Sequence, residues 1–245
     1  LDIYFAADPC FAEKAETQRG YYYKLTPRYR HFYSYEKAIF GPGKTTQTLI
    51  LSPQQREAFE RHYPGCGDRL HKLPAGIAID RKVESRDLAI RRQFRKEFNI
   101  GDDDLLLLQI GSGFKVKGVD RSLTAMASLP EPLLERTKFM LVGQDKTATV
   151  SQLAHRLGLA KKLTILPGRD DIPRFLAGAD LLVHPAYVES AGYVLLESTI
   201  AGLPVLTTAS CGYSFHIEKA QSGKVCANPF QQLELNEKLA SMLDS

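Results

Sequence analysis

The sequence of 245 residues has no tryptophan, four cysteines and no apolar run longer than a β-strand. Without a long apolar run, no segment can cross a bilayer as a helix. The charges nearly cancel, 32 basic against 28 acidic residues, and the net charge of +4 does not indicate a nucleic-acid-binding protein. The cysteines form no CxxC pair, which argues against a zinc knuckle, a redox motif and a secreted disulfide framework and favours a reducing, cytoplasmic setting. They are Cys10, Cys66, Cys211 and Cys226.

The sequence begins with Leu1-Asp2-Ile3-Tyr4-Phe5, which resembles the middle of a strand. It has neither an initiator methionine nor a signal peptide at this point. We therefore expect the chain to be a fragment of a longer protein.

From about residue 104 onward, short apolar runs alternate with amphipathic stretches. The runs are apolar throughout, which is typical of strands that are buried on both faces of a parallel sheet. They are LLLLQI (105–110), KFMLV (138–142), LTIL (163–166), DLLVH (180–184) and PVLTT (204–208). We expect Asp120, Thr149 and Asp170 to begin the helices between them. The alternation predicts an α/β fold with a doubly wound parallel sheet, whose ligands bind at the carboxyl ends of the strands.

Residues 1–80 offer too few elements for a second complete sheet of this kind. The pattern predicts strands at Ile3–Ala6 and Gln47–Leu51, and a helix begun by Ser52 with Pro53 at its first position and Gln55 closing a capping box. The charged stretch 84–97 predicts a helix that leads into the second domain. We expect the tail of an incomplete α/β domain over 1–80 and a Rossmann-like domain over 81–245.

The segment HPAYVESAGYVLLES follows the run at 180–184 and continues into a helix, so it occupies the place where this fold binds ligands. We expect Ser190 to cap that helix and leave the amides of Ala191, Gly192 and Tyr193 free to bind an anion. Glu189 and Glu197 would lie about 12 Å apart along a helix, which suits two sugar rings that flank a diphosphate. The spacing has little specificity by itself. In the alternative interpretation, Glu189 caps a turn and Glu197 lies on a solvated face.

The loop GSGFKVKG (111–118) follows the run at 105–110, and Lys115 or Lys117 offers a cation to phosphate. Two alternatives stay open: a plain turn, or a dinucleotide-binding fingerprint in which Val116 replaces the third glycine. An oxidoreductase that binds NAD(P) would also need an acidic residue at the end of the second strand, and Asp145 comes only after a glycine and a glutamine.

Three other features do not indicate a site. The acidic run 102–104 precedes its strand, at the wrong end of the sheet, and is typical of a solvated turn. The stretch GPGKT (41–45) imitates the end of a P-loop, but Ala38 replaces the first glycine and a helix precedes it, so a nucleotide triphosphatase is excluded. Of the six histidines only His184 lies near the candidate segment, and no metal-binding cluster is expected.

Several motifs together resemble the carboxyl-terminal half of the family 4 retaining glycosyltransferases, which have a two-domain B-type fold. They are GSGFKVKGVDRS, VGQD, PGRDD and HPAYVESAGYVLLES followed by AGLPVLTT. The resemblance covers nearly the whole chain. It implies that residues 81–245 bind a nucleotide-sugar donor and that residues 1–80 lie on the acceptor and membrane side. It further implies transfer of a hexose, with glucose as the first candidate, from a UDP-sugar to the heptose of the lipopolysaccharide inner core, with retention of configuration.

Position by position, the resemblance implies a role for each donor-site residue. It implies that Glu189 contacts hydroxyls of the donor sugar and that Glu197 holds the ribose. Lys117, with Gly111 and Ser112 beside it, is similar to the loop that binds pyrophosphate. The sequence departs from the compared family member at Val116, where that protein has a basic residue, and Lys115 is the candidate substitute.

Three further expectations follow from the same resemblance. Arg81 resembles a second cation near the phosphates, and Arg169 resembles the residue that flanks uracil. Cations and helix-end amides can stabilise the charge on a leaving phosphate without a metal ion, so we expect no metal and no cofactor beyond the UDP-sugar. Asp8, at the end of the first predicted strand, is the one amino-terminal candidate for an acceptor-side catalytic role.

The stretch 11–40 contains nine of the 23 aromatic residues and a local net charge of +3. From Thr26 and Pro27 onward, helical spacing predicts one aromatic face with cations on its flanks. The face consists of Tyr29, Phe32, Tyr33 and Phe40, and the cations are Arg28, Arg30 and Lys37. Such a face suits an anionic membrane surface, and the resemblance implies the cytoplasmic face of the inner membrane. In the alternative interpretation the aromatics pack on their own domain, which Glu36 within the face favours.

We therefore expect a peripheral glycosyltransferase that acts on a UDP-sugar and an inner-core acceptor and binds no nucleic acid. As a fragment, the chain is expected to bind UDP weakly and to turn over little. The competing functions are an oxidoreductase and a non-catalytic membrane-binding module.

Overall fold

In a computed structural model, the protein is described over residues 1–79 and 87–244. The chain divides into two compact units, Leu1–Gly76 and Ile77–Ser245. The domain boundary expected between residues 80 and 81 lies outside the described residues. Within the described residues, no helix is both long enough and apolar enough to span a membrane.

The amino-terminal unit is a small parallel sheet with helices packed on it. Its strands lie in the order β1-β2-β3, with Ile3 opposite Gln47 and Thr48 opposite Leu70. The elements are β1 (Ile3–Phe5), α1 (Phe11–Gln18), α2 (Pro27–Phe40), β2 (Gln47–Ile50), α3 (Pro53–His62) and β3 (Leu70–Lys72), with 3₁₀ turns at Tyr21–Leu25 and Gly67–Arg69. Strand β3 was not expected, because Leu-His-Lys is short and has one apolar residue.

The predicted start of α3 is confirmed. The Ser52 hydroxyl accepts from the backbone nitrogen of Gln55 at 3.3 Å, with Pro53 at the first helical position. Gln55 does not close the box on Ser52. Instead its Oε1 accepts from Leu51 N at 2.6 Å and its Nε2 donates to Ala6 O at 2.9 Å, which ties the helix to β1 and β2.

The predicted aromatic face of α2 is divided between the core and the solvent. Phe40 is buried and stacks on Phe59 with ring centroids 4.1 Å apart, and Tyr33 packs near Tyr63. Glu36, also buried on this face, accepts from Phe11 N, Ala12 N and Tyr63 Oη. The expectation of one membrane-facing stripe is therefore wrong for Phe40, whose side chain lies in the core of the unit, whereas Tyr29 and Tyr33 are half-buried.

A different set of apolar side chains is exposed in the same stretch. Tyr21 and Tyr22 are about 80% exposed, at 81% and 79%. The remaining members are Leu25, Phe32 and Tyr35. Arg28, Arg30 and Lys37 are exposed as expected.

The carboxyl-terminal unit is the doubly wound α/β domain that the sequence predicts. Its sheet has the order β6-β5-β4-β7-β8-β9, and every neighbouring pair is parallel. The strands are β4 (Leu105–Ile110), β5 (Thr137–Val142), β6 (Leu163–Leu166), β7 (Leu181–His184), β8 (Val205–Thr208) and β9 (Gly223–Cys226). The helices are α4 (Leu88–Glu97), α5 (Val119–Ala127), α6 (Glu131–Arg136), α7 (Ala148–Arg156), α8 (Ile172–Gly178), α9 (Tyr193–Ile200), α10 (Ser214–Ala220) and α11 (Gln232–Leu243).

The strand order reverses between β4 and β7. After β4 the chain builds β5 and β6 on one side, and it then returns to place β7 on the other side of β4. Such a reversal opens a crevice at the carboxyl ends of the two central strands. The loops after β4 and β7 meet at this crevice.

The strand predictions at 105–110 and 163–166 are confirmed, and the other three differ from the structure by one residue at their first position. The predicted helix starts are wrong by one or two residues. Asp120 and Thr149 lie inside α5 and α7, and Asp170 precedes the N-cap Asp171. For α5 the reason is Gly118, whose left-handed backbone (φ +70°) serves as the N-cap and starts the helix two residues earlier than an Asp120 cap would.

Two smaller expectations concern the region before β4. Helix α4 begins at Leu88, where the Asp87 carboxylate accepts from Ala89 N and Ile90 N, and the predicted positions 84–86 lie outside the described residues. The acidic run 102–104 directly precedes β4, as the sequence indicates, and Asp104 pairs with Lys138 at 2.7 Å.

Candidate functional site

The loop after β4 (residues 111–118) and the loop after β7 (residues 185–192) are joined by backbone contacts. Tyr187 N donates to Val116 O at 2.9 Å. A Cβ on Gly118 would overlap Pro185 O, and the φ of +70° at this residue also favours glycine. Glycine is therefore required where the two loops touch.

The loop 111–118 is also held by the turn that follows β5. The Ser112 hydroxyl accepts from Gln144 N at 3.0 Å, and the Asp145 carboxylate accepts from Phe114 N at 2.8 Å. A Cβ on Gly143 would overlap Gly111 O, so the two turns pack backbone against backbone. Asp145 thus supports the loop, which disfavours its use as the ribose ligand of a dinucleotide.

Lys117 and Glu189 meet at the centre of the crevice. The Lys117 ammonium donates to Glu189 Oε2, and both side chains are about one-fifth exposed, at 22% and 17%. The buried His184, at the end of β7, places Nε2 at 3.5 Å from the same oxygen. Burial would raise the pKa of Glu189, but the contacts from His184 and Lys117 outweigh it and lower the pKa to about 2. The carboxylate is therefore ionised at neutral pH.

The backbone of Glu189 is fixed by the loop after β8. Glu189 N donates to Ser210 O at 3.2 Å, and Gly212 N donates to Glu189 O at 2.8 Å. The Ser210 hydroxyl donates to Ala186 O at 2.6 Å. This support was not predicted, because the sequence around Ser210 reads as an ordinary turn.

Helix α9 begins at Tyr193, with Gly192 as its N-cap in the left-handed region (φ +94°). The prediction that Ser190 caps this helix is wrong, since no side chain caps α9. Because residues 189–192 are not helical, the estimate of 12 Å between Glu189 and Glu197 also loses its basis.

The start of α9 retains the expected capacity to bind an anion. Within the described residues, no hydrogen bond engages the backbone N–H groups of Ala191, Gly192 and Tyr193. Unpaired amides at a helix start carry partial positive charge. They lie two to four residues after Glu189, beside the Lys117 ion pair.

The remaining donor-site candidates are less closely grouped. Arg169, after β6, makes a bidentate pair with Asp171 at 2.7 and 3.0 Å, and this hydrogen bonding lowers the pKa of Asp171 to about 2. Glu197 is half-buried on α9. Arg81 lies outside the described residues. A cavity of about 530 Å³ opens near the ends of β5 and β6; its lining includes Gly143, Gln144, Asp145, Thr147 and Pro167.

Asp8 belongs to the amino-terminal unit. It is exposed, its backbone oxygen accepts from Gln55 Nε2 at 3.0 Å, and it lines a cavity of about 350 Å³ together with aromatic residues of α1 and α2. No group of three or more His, Cys, Asp and Glu side chains in the described part of the chain is placed to hold a metal ion.

Arg121 on α5 is a site residue that the sequence did not indicate. Its guanidinium lies 3.6 Å from the ring centroids of both Tyr187 and Phe230 and donates to Pro185 O and Ala186 O at 3.2 and 3.3 Å. The side chain therefore clamps the loop that carries Glu189. A basic residue on an amphipathic helix gives no sequence signal for such a role.

Comparisons with known proteins agree with this architecture. Residues 90–245 match the family described as Glycosyl transferases group 1. The chain is 47% identical over 243 residues to the lipopolysaccharide glucosyltransferase WaaG of Escherichia coli (strain K12), an alignment that covers 99% of this chain and 65% of the relative. The chain thus spans about two thirds of that relative's length.

Two solved structures have the same fold. The crystal structure of WaaG, described as a glycosyltransferase involved in lipopolysaccharide biosynthesis, superposes with a TM-score of 0.93 at 47% identity over 100% of this chain and 66% of that one. Anabaena HepE, solved with UDP and glucose, superposes with a TM-score of 0.78 at 18% identity over 99% and 62%. The first match confirms the two-domain fold and the similarity to the lipopolysaccharide glucosyltransferase WaaG.

Proposed function

We propose a function from one premise: this chain belongs to the group 1 family of glycosyl transferases. The proposed reaction moves a hexose, with glucose as the first candidate, from a UDP-sugar to the heptose of the lipopolysaccharide inner core, with retention of configuration. The name of the relative that is 47% identical, a lipopolysaccharide glucosyltransferase, supports glucose as the sugar and lipopolysaccharide as the molecule that accepts it. Since the chain spans 65% of that relative, the activity is proposed for the protein to which this chain belongs.

The observation that supports donor binding most strongly is the convergence of Lys117, Glu189 and the start of α9 in one crevice. A sugar diphosphate needs a cation and amides for its phosphates and an acceptor of hydrogen bonds for its hydroxyls. In the proposed complex Lys117 and the amides of Gly192 and Tyr193 contact the phosphates, and Glu189 contacts the sugar. Glu197 holds the ribose and Arg169 flanks the uracil.

The proposed reaction does not require a metal ion. Cleavage of the bond between sugar and diphosphate places negative charge on the leaving phosphate, and Lys117 with the α9 amides is positioned to stabilise that charge. Arg81 is proposed as a second cation. Addition of EDTA should therefore leave the transfer rate unchanged, whereas a tenfold or larger loss that Mg²⁺ restores would contradict metal independence.

The two parts of the chain are proposed to have separate roles. Residues 81–245 bind the nucleotide-sugar donor, and residues 1–80 contribute to the acceptor and membrane side. Asp8 is the proposed acceptor-side residue, since its place on the wall of a cavity gives it access to a ligand. We propose that the protein works at the cytoplasmic face of the inner membrane.

Membrane contact is proposed for the exposed set in the stretch 11–40, which shares only Phe32 with the face predicted on α2. Tyr21, Tyr22 and Leu25 project from one 3₁₀ turn, and exposed cations lie close by in sequence, including Lys24 and Arg28. Aromatic rings at headgroup depth with cations on lipid phosphates are typical of interfacial binding.

Calorimetry with UDP, UDP-glucose and NADH tests the donor proposal. We expect binding of both uridine nucleotides and none of NADH, with Glu197→Ala weakening both uridine ligands because each contains the ribose. Glu131→Ala, an exposed position on α6, is the matched control and should leave both affinities unchanged. Tight binding of NADH without binding of UDP would instead support the oxidoreductase.

Sedimentation with liposomes tests the membrane proposal. The protein should sediment with vesicles that contain anionic lipid and much less with neutral ones, and the double change Tyr21→Ser with Tyr22→Ser should reduce binding. Exchange of the half-buried Tyr33 for Phe, which keeps the packing of the ring, should have no effect on sedimentation. Equal sedimentation with neutral vesicles, or no loss in the double variant, would contradict the proposal.

A further inference from the structure

Gln109 is a buried polar residue in a strand whose other residues are apolar. It is 1% exposed in β4, after four leucines and before Ile110. A buried amide is unfavourable unless both its donor and its acceptor are hydrogen-bonded. The hydrogen-bond partners of this side chain therefore indicate its structural role.

Both ends of the Gln109 amide are engaged, and both partners lie beyond the strand. Its Nε2 donates to the backbone oxygen of Lys117 at 2.7 Å. Its Oε1 accepts from the hydroxyl of Ser122, another buried residue on α5, at 2.8 Å. One side chain thus connects the strand to the end of the loop 111–118 and to the first turns of α5.

These contacts fix the backbone from which the Lys117 side chain extends. Lys117 N donates to Gly113 O at 3.0 Å, while Lys117 O is held by Gln109. The stem of Lys117 then passes over Gly111, where a Cβ would stand 3.4 Å from Lys117 Cε. With its backbone held on both sides, the lysine reaches Glu189 along a defined path.

We propose that Gln109 is a positioning residue that holds Lys117 in place for the diphosphate of the donor. The proposal rests on the proposed function and extends it to a residue that does not touch the ligand. A leucine of similar volume would fill the same space in the core, but it would leave Lys117 O without its partner and let the loop shift. A shift of about 1 Å is enough to weaken a charged hydrogen bond strongly.

The test is a double-mutant cycle on UDP affinity, measured by calorimetry at a temperature where every variant is folded. Gln109→Leu should weaken UDP binding about tenfold in the wild-type background and less than twofold in the background of Lys117→Met, because the lysine it positions is then gone. Gln109→Met, which has a similar length but no donor for Lys117 O, should weaken binding to a similar extent. Ser122→Ala, which removes only the support for Oε1, should have a smaller effect of about twofold.

Leu108→Ala is the matched control for loss of core packing, since Leu108 is fully buried in the same strand. It should lower the melting temperature and leave the UDP affinity unchanged. The inference is overturned if Gln109→Leu and Gln109→Met bind UDP like the wild type, or if Gln109→Leu weakens binding equally with and without Lys117. If Gln109→Leu does not fold, Gln109→Met in both backgrounds decides. Failure of the wild type to bind UDP would overturn the proposed function as well. If Lys117→Met binds UDP more weakly but the Gln109 variants bind it normally, only the role of Gln109 is overturned.

Discussion

At the scale of single residues, the site is shaped by charges that satisfy each other in the absence of a ligand. Lys117 pairs with Glu189, although one is proposed to bind phosphate and the other sugar hydroxyls. A diphosphate that enters the crevice must therefore draw Lys117 away from the carboxylate, and His184 stays beside Glu189. We therefore expect the ion pair to lower the affinity for a nucleotide that lacks the sugar, because Glu189 would lose its contact with Lys117 and gain no hydrogen bond from a sugar hydroxyl.

This competition predicts an unusual effect of Glu189→Gln. Without the carboxylate, Lys117 is free and the repulsion between Glu189 and the phosphates disappears, so UDP should bind about fivefold more tightly, as expected for loss of a partly exposed ion pair. The extra affinity of UDP-glucose over UDP should shrink in the same variant. Calorimetry with both ligands measures the two effects. Weaker binding of UDP by Glu189→Gln would contradict the competition.

The low pKa of Glu189 predicts a dependence of stability on pH. In the folded protein the pKa is about 2, against an ordinary value of 4.5, so the unfolded chain binds the proton first as the pH falls. The stabilisation is complete above the unfolded pKa and is lost as the pH falls toward the folded pKa, from about 4.5 to about 2. Urea unfolding of wild type and Glu189→Gln should therefore show a steeper acid loss in the wild type. Parallel curves over this range would show that the carboxylate is not held in its ionised form.

At the scale of elements, the loop after β7 depends on contacts from three other parts of the unit. The loop after β8 holds its backbone through Ser210, the loop after β4 meets it at Val116, and α5 clamps it through Arg121. Because each contact comes from a different element, the position of Glu189 depends on how all three elements pack around the crevice.

Arg121→Met tests whether Arg121 positions the loop that carries Glu189 in addition to stabilising the fold. Methionine keeps an apolar stem between Tyr187 and Phe230 but loses two cation–π contacts and the hydrogen bonds to Pro185 O and Ala186 O. We expect the free energy of unfolding to fall by about 2 kcal/mol. The affinity for UDP-glucose should fall more than that for UDP, since Glu189 is the residue proposed to contact the sugar. Arg92→Met on the exposed side of α4 is the control. An unchanged ratio of the two affinities would contradict a clamp on Glu189.

Sequence reasoning located the elements of this crevice better than their ends. Buried strands such as LLLLQI are recognisable because nearly all of their residues are apolar. Strands β9 (GKVC) and β3 (LHK) are short and contain few apolar residues, so only their backbone pairing with a neighbouring strand identifies them. The cap predicted at Ser190 failed because the left-handed Gly192 starts α9 and no local pattern reveals that conformation. Lys117 and Glu189 were predicted to bind parts of one sugar diphosphate, but their direct ion pair was not predicted. Their direct contact follows from the strand order, which only the tertiary fold supplies.

At the scale of the whole molecule, the two units differ in what the sequence revealed. The carboxyl-terminal unit repeats strand and helix regularly, and its doubly wound sheet followed from that rhythm. In the amino-terminal unit the aromatic residues of α2 form one face by helical spacing. The structure nevertheless places Phe40 in the core, Tyr33 half-buried beside it and Phe32 at the surface. Helical periodicity identifies a face but does not show whether solvent, lipid or the protein's own core covers it.

The most direct test of donor binding compares UDP with UMP. UMP lacks the β-phosphate, which is the phosphate that carries the hexose in a UDP-sugar. If Lys117 binds that phosphate, the wild type should prefer UDP by about tenfold or more, as a charged hydrogen bond is worth that much. The single change Lys117→Met should then remove the preference while the affinity for UMP stays nearly the same. A ratio of UDP to UMP affinities that is the same in wild type and Lys117→Met would contradict the assignment of this crevice as the diphosphate site.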